Sequence, residues 1–137
     1  MSLEQNKASL RRFYEEVINA RNIDLADELL SADFNDHAAK EPGIAEFKKL
    51  YKSMIDIFEG LHITIEDLIA EGDRVVAYVT TRAVQAGKFR GFPPSGKQVT
   101  FTGVDIFRFK NGKVVERWAV RDFLGMLQQA GHVNQKT

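Results

Sequence analysis

The sequence predicts an α+β fold: three helices first, then four consecutive antiparallel strands forming a curved sheet, then a short C-terminal helix. Three observations carry this reading. Apolar residues recur at helical spacing up to Gly60. From Leu61 the period switches to two. Near the end, Asn111-Gly112 separates two alternating runs, and both residues tolerate the positive φ of a tight hairpin turn.

Composition bounds the rest. The 137 residues suit one domain, 1–137, with one core. Lys plus Arg equals Asp plus Glu at 19 each, so no long-range field favours nucleic acid or an anionic membrane surface. With no cysteine, disulfides, thiolate metal ligands and a thiol nucleophile are excluded. The first twelve residues lack the apolar centre of a signal peptide, and no apolar run reaches membrane-spanning length, so a cytoplasmic location is expected.

Each element has its local cause. Ser2 and Gln5 form a capping box ahead of Leu10, Phe13, Tyr14, Val17 and Ile18, a single amphipathic stripe. Asn22 to Asp24 break the chain before a short second helix through Leu25, Leu29 and Leu30. Residues 32–41 lose periodicity, hold Asn35-Asp36-His37 and read as a loop. Pro42 suits a first helical turn, and Phe47, Leu50, Tyr51, Met54, Ile55 and Phe58 repeat the helical spacing until Gly60. Leu61, Ile63 and Ile65 then alternate with polar residues, Glu71-Gly72-Asp73 turns the chain into Val75–Val84, and a loop with three glycines, Pro93 and Pro94 precedes Val99–Lys110 and Lys113–Phe123.

A two-residue loop sets Phe109 opposite Val114, Phe107 opposite Glu116, Asp105 opposite Trp118, Gly103 opposite Val120 and Phe101 opposite Asp122, unless a bulge shifts the pairing. The face with Phe101, Phe107, Phe109 and Trp118 belongs inside, and it takes Asp105, Glu116 and Asp122 with it. The other face carries Val104, Ile106, Val115 and Ala119 ringed by Arg108, Arg117 and Arg121. That is too much contiguous apolar surface for a free monomer, and it predicts a homodimer packed sheet to sheet.

The stretch from Lys88, KFRGFPPSGKQVTFTGVDIFRFKNGKVVERWAVRDFLGMLQQAG, together with FYEEVINARNIDLADELLSADFNDH upstream, resembles the SnoaL-like polyketide cyclase family of the NTF2-like superfamily. The shared elements are a G-x-PPSGK-like loop, an aromatic strand, an N/D-G-K turn, E-x-W-x-x-x-D, a closing L-x-Q-x-G helix and F-x-D-H. The resemblance implies an NTF2-like cone enclosing a pocket, a homodimer, and the W-x-x-x-D aspartate, Asp122, as general acid/base.

The chemistry fits a carboxyl at such a place, because an apolar enclosure disfavours its charge and raises its pKa toward the range where it both takes and gives protons. Asp122 also stands where it can cap the last helix. His37, beside Asp36 in F-x-D-H, either assists by orienting a carbonyl or sharing a proton with Asp122, or makes a local hydrogen bond. Asp105 is either a second pocket carboxyl or a partner for the Trp118 indole. Trp118, Phe101, Tyr14 and Phe58 are the candidate walls, while Phe89 and Phe92 either cover the pocket mouth or form an exposed patch.

Gly91–Lys97 meets a phosphate-loop pattern, but Gln98 replaces the magnesium-binding hydroxyl, two prolines remove donors and a strand follows. His37, His62 and His132 lack paired-ligand spacing, so no metal and no cofactor are expected. The expected activity is that of a cofactor-independent cyclase or isomerase acting on a carbonyl-bearing hydrophobic molecule, with Asp122 and His37 catalytic. The alternative is a non-catalytic hydrophobic-ligand-binding or assembly module.

Overall fold

The structure, a computed structural model, describes residues 2–134. The expected capping box opens α1 (Leu3–Arg12): Ser2 Oγ accepts from the Gln5 amide at 3.0 Å, and Gln5 Oε1 accepts from the Ser2 amide at 2.9 Å. The helix then widens into π geometry over Phe13–Asn19, which turns Phe13, Tyr14, Val17 and Ile18 all inward. A 3₁₀ turn at Ile23–Leu25 leads into α2 (Ala26–Leu29). Gly43, at φ 108°, precedes α3 (Ile44–Ile57), so Pro42 falls outside the helix it was expected to start. Phe58, expected on the stripe of this helix, instead begins a strand.

The four expected strands are β2 (Phe58–Glu71), β3 (Arg74–Gln85), β4 (Gln98–Lys110) and β5 (Lys113–Arg121), and α4 (Phe123–Gln129) closes the chain. A fifth strand corrects the loop expected over 32–41. β1 (Leu30–Asp36) lies parallel to β5, giving the order β1-β5-β4-β3-β2. Nothing local announces this strand, which is poor in β-branched residues; it exists because its backbone pairs with β5. Bulges in β2, β5 and the β1–β5 pairing bend the sheet, and the helices fill its concave side. There Phe13 meets Phe47 at 5.4 Å and Phe107 at 5.6 Å between ring centroids. Among the described residues no helix is long and apolar enough to cross a membrane.

The β4–β5 hairpin carries the correction that matters most. Asn111 and Gly112 have φ 53° and 80°, and Phe109 faces Val114 as expected. Val115 is then an extra residue. Arg108 pairs with Glu116, Phe107 with Arg117, Ile106 with Trp118, Asp105 with Ala119 and Gly103 with Arg121. Because side chains alternate, this one-residue slip inverts the rest of β5. Arg117, Ala119 and Arg121 line the concave side, while Glu116, Trp118 and Val120 lie on the convex one.

Candidate ligand-binding site

A cavity of about 520 Å³ opens between the helices and the concave sheet face, a size that suits a small organic molecule. Its walls are largely apolar, drawn from Phe13, Phe47, Met54, Phe101 and Phe123, with Phe89 reaching in from the loop between β3 and β4. Phe89 is buried against Phe58 and Phe123, at 5.3 and 5.1 Å between centroids, so this part of the loop covers the cavity. Phe92 tilts instead against His132 at 5.2 Å.

Polar groups gather around Arg117 and Arg121, which both line the cavity with side chains only 12% exposed. Arg121 Nη1 and Nη2 donate to Asp105 Oδ1 and Oδ2 at 2.5 and 3.0 Å, a bidentate pair. The side chain reaches its partner by crossing Gly103: a Cβ built there would lie 2.5 Å from Arg121 Cδ and 2.6 Å from the Val120 carbonyl. Arg117 Nη1 donates to Asp36 Oδ2 at 2.8 Å, and its Nη2 lies 3.7 Å from Asp105 Oδ1. The Tyr14 hydroxyl donates to Asp105 Oδ2 in a short hydrogen bond.

Two buried anions thus face two cations. Burial alone would push the Asp105 carboxyl up, but Arg117 and Arg121 outweigh it and hold the group below the usual carboxylate range. Burial, reinforced by Asp105, raises Tyr14 well above an ordinary phenol. Arg117 is raised despite burial, because Asp105 and Asp36 stabilise its charge.

Two polar atoms of residues lining this cavity are buried without a partner among the described residues: Arg117 Nε, a donor, and the Thr81 hydroxyl. A buried polar group left unpaired is costly, so each of these atoms keeps the capacity for one further hydrogen bond.

The expected site residues divide. Tyr14 and Phe101 line the cavity, and Asp105 and Asp36 hold its arginines. Phe58 is fully buried in the layer behind, 6.1 Å from Phe101. Trp118 and His37 lie on the convex face, their rings stacked at 4.8 Å, and Arg74 covers the indole at 5.2 Å. His37 Nε2 pairs with Glu116 Oε2 at 2.8 Å, and His37 with Arg108 draws that carboxyl below its usual range. Asp105, expected either in the pocket or on the indole, belongs to the arginines instead.

Asp122 is exposed, outside the cavity lining, and its Oδ1 accepts from the Gly125 amide at 2.8 Å as the N-cap of α4. The expected inward placement of Asp122, Glu116 and Trp118 fails for one reason, the slip at Val115. Arg117, Arg121 and Thr81 were not among the expected site residues. The adjacent Val114-Val115 pair, which interrupts the alternation, and Gly103 in mid-strand were the available signals.

These features, helices in the concavity of a bent five-stranded sheet around an apolar cavity, are those of the NTF2-like cone. The SnoaL-like polyketide cyclase family matches residues 8–130, and the chain belongs to it. No curated protein matches the chain by sequence. Among solved structures, TsrD of Streptomyces laurentii is 26% identical, with a TM-score of 0.88 over 97% of this chain and 99% of that one. AclR of Streptomyces galilaeus, a candidate hydroxylase, is 26% identical, with a TM-score of 0.85 over 99% and 91%. IdmH of Streptomyces antibioticus, a candidate polyketide cyclase, is 25% identical, with a TM-score of 0.81 over 93% and 99%. One architecture thus carries more than one assigned chemistry, and function has to be argued from the site.

Proposed function

We propose that the cavity binds an apolar molecule carrying a carbonyl oxygen, and that Arg117 and Thr81 receive that oxygen and stabilise it as an enolate, the chemistry a cyclase or isomerase requires. The single observation behind this reading is the pair of unpartnered buried polar atoms, Arg117 Nε and Thr81 Oγ1, on residues that line a largely apolar enclosure. A preorganised guanidinium in a dry site lowers the energy of developing negative charge without reorganising solvent. Tyr14 spends its proton on Asp105, so toward a ligand its oxygen acts only as an acceptor, suited to an enol hydroxyl.

The alternative, binding without turnover, is favoured by a different observation. Asp105 and Asp36 are consumed by internal hydrogen bonds, and among the described residues no carboxylate or imidazole lines the cavity.

A cyclic 1,3-diketone such as 2-acetyl-1-tetralone tests both. The wild type should bind it, lower its apparent pKa as read by enolate absorbance, and accelerate exchange of its acidic C–H into deuterated water. Thr81→Val and Arg117→Lys should weaken the spectral shift. Binding without accelerated exchange selects the alternative, and no binding at all refutes both.

For the partner, we propose a second copy of the chain. The convex face exposes Tyr78, Val104 and Val120 around the half-buried Ile106 and Trp118. Ala119, Arg117 and Arg121, expected there, belong to the cavity, so the proposed interface is redrawn around Trp118.

A further inference from the structure

We infer that the cavity's ligand carries a carboxylate on the end that stays at the mouth, and that Arg90 selects for it; the inference rests on the reading of the cavity as a small-molecule site. The first support is that the inner guanidinium groups are already engaged. Arg121 gives both Nη groups to Asp105, and Arg117 gives Nη1 to Asp36 with Nη2 beside Asp105, so neither is free to clamp a ligand carboxylate. The inner end is left to the carbonyl oxygen.

Arg90 is different. It lines the cavity yet is exposed, and no carboxylate pairs with it among the described residues. Its guanidinium lies over Phe123 at 4.6 Å and over Phe89 at 5.2 Å, the aromatic faces holding the cation beside the opening while its N–H groups stay available.

The backbone supports the same assignment. Phe89 and Phe92 exchange hydrogen bonds at 2.9 and 2.8 Å, closing a tight turn whose central residues are Arg90 at φ 48° and Gly91 at φ 86°. Glycine or asparagine would take the first central position without strain, whereas arginine there is an outlier of the kind that gathers at ligand-binding positions. The loop is anchored on both flanks, with Gln85 Nε2 donating to the carbonyls of Gly87 and Pro93, each at 3.1 Å. Arg90 is therefore held at the mouth rather than on a free tether. The planar fork of one guanidinium matches the two oxygens and the single charge of a carboxylate.

The test uses N-phenyl-1-naphthylamine, a neutral fluorophore, as reporter of the cavity, displaced by 4-(1-naphthyl)butanoate or by its methyl ester. The acid should displace it at a roughly fivefold lower concentration than the ester, the size an exposed ion pair allows, and the advantage should vanish at high salt. In Arg90→Met, which keeps an apolar stem over the two rings, acid and ester should compete equally, with the ester unchanged from wild type.

Equal competition in the wild type, or an acid advantage that survives Arg90→Met, overturns the role of Arg90 while leaving the cavity reading intact. Arg121→Lys then shows whether a surviving advantage arises at the inner end. Failure of the fluorophore and both competitors to bind the wild type overturns the cavity reading itself, and this inference with it.

Discussion

Asp105 and Asp122 stand at two regions where the same side chain meets opposite fates. Asp105, in mid-strand on β4, is fully buried and held by Arg121, Arg117 and Tyr14. Asp122, just past the end of β5, is exposed and makes one capping bond. The aromatic neighbourhood in sequence suggested enclosure for both. What separates them is the bulge at Val115, which turned two arginines inward to meet Asp105 and left Asp122 facing outward. The chemistry available to a carboxylate is set by its enclosure and partners more than by its sequence neighbours.

The sharpest way to break the comparison is to neutralise Asp105. Asp105→Asn keeps the volume but leaves Arg117 and Arg121 short of one buried anion, and the expected cost is about 3–5 kcal/mol by denaturant unfolding. The effect carries a pH signature. The folded carboxyl lies below its ordinary value of 3.8, so its ionised form contributes stability above that pH and loses the contribution as pH falls toward the folded value. The gap between wild type and Asp105→Asn should therefore be constant at neutral and mildly acidic pH and close only below pH 3.8. A gap already closing near neutrality would show that the pairing with the arginines is not what sustains it.

The next largest effect falls on the route of the guanidinium rather than on the carboxylate. In Gly103→Ala the new methyl meets Arg121 Cδ and the Val120 carbonyl, and the side chain cannot cross to Asp105 without the strand moving. A loss of about 1–3 kcal/mol is expected, the range for overpacking, together with weaker ligand binding. Full stability in this variant would mean that Arg121 has another way to its partner.

Oligomeric state probes the convex side of the same strands. Ile106→Asp, which pairs with Trp118 outside the cavity, should give a monomeric mass by light scattering while fluorophore binding persists. A wild type already monomeric at micromolar concentration refutes the dimer.

How much of this was legible follows from how local each cause is. The capping box, the Asn-Gly turn and the alternation of β3 and β4 depend on residues within a few positions of one another, and they appear in the structure close to where the sequence puts them. β1 does not, because it depends on a strand more than 70 residues away, and the bulge is marked in the sequence only by the adjacent Val114-Val115 pair and by Gly103. Of the site, Tyr14, Phe101, Asp36 and Asp105 were readable as aromatic and carboxylate candidates. Arg117 and Arg121 were assigned to the outside by a regular alternation that one inserted residue reversed. The same reversal explains His37: its stack on Trp118 is real, but on the far side of the sheet.

The smallest expected effect tests the other half of the comparison. If Asp122 serves α4 by capping, Asp122→Ala should cost about 1 kcal/mol, and Asp122→Asn should cost almost nothing, since asparagine caps a helix about as well. A carboxyl held for proton transfer in an apolar enclosure behaves in the opposite sense: asparagine removes a charge that burial disfavours, so the melting temperature rises, while any deuterium exchange catalysed in the diketone is lost. The capping geometry favours the first pattern, because Asp122 Oδ1 lies 2.8 Å from the Gly125 amide at the open start of the helix, where a negative charge also meets the favourable end of the dipole. Measuring both variants beside Asp105→Asn orders the two carboxylates on one scale. A raised melting temperature in Asp122→Asn, with exchange abolished, would return the proton-transfer role to Asp122 and reduce the arginine-bound Asp105 to scaffolding.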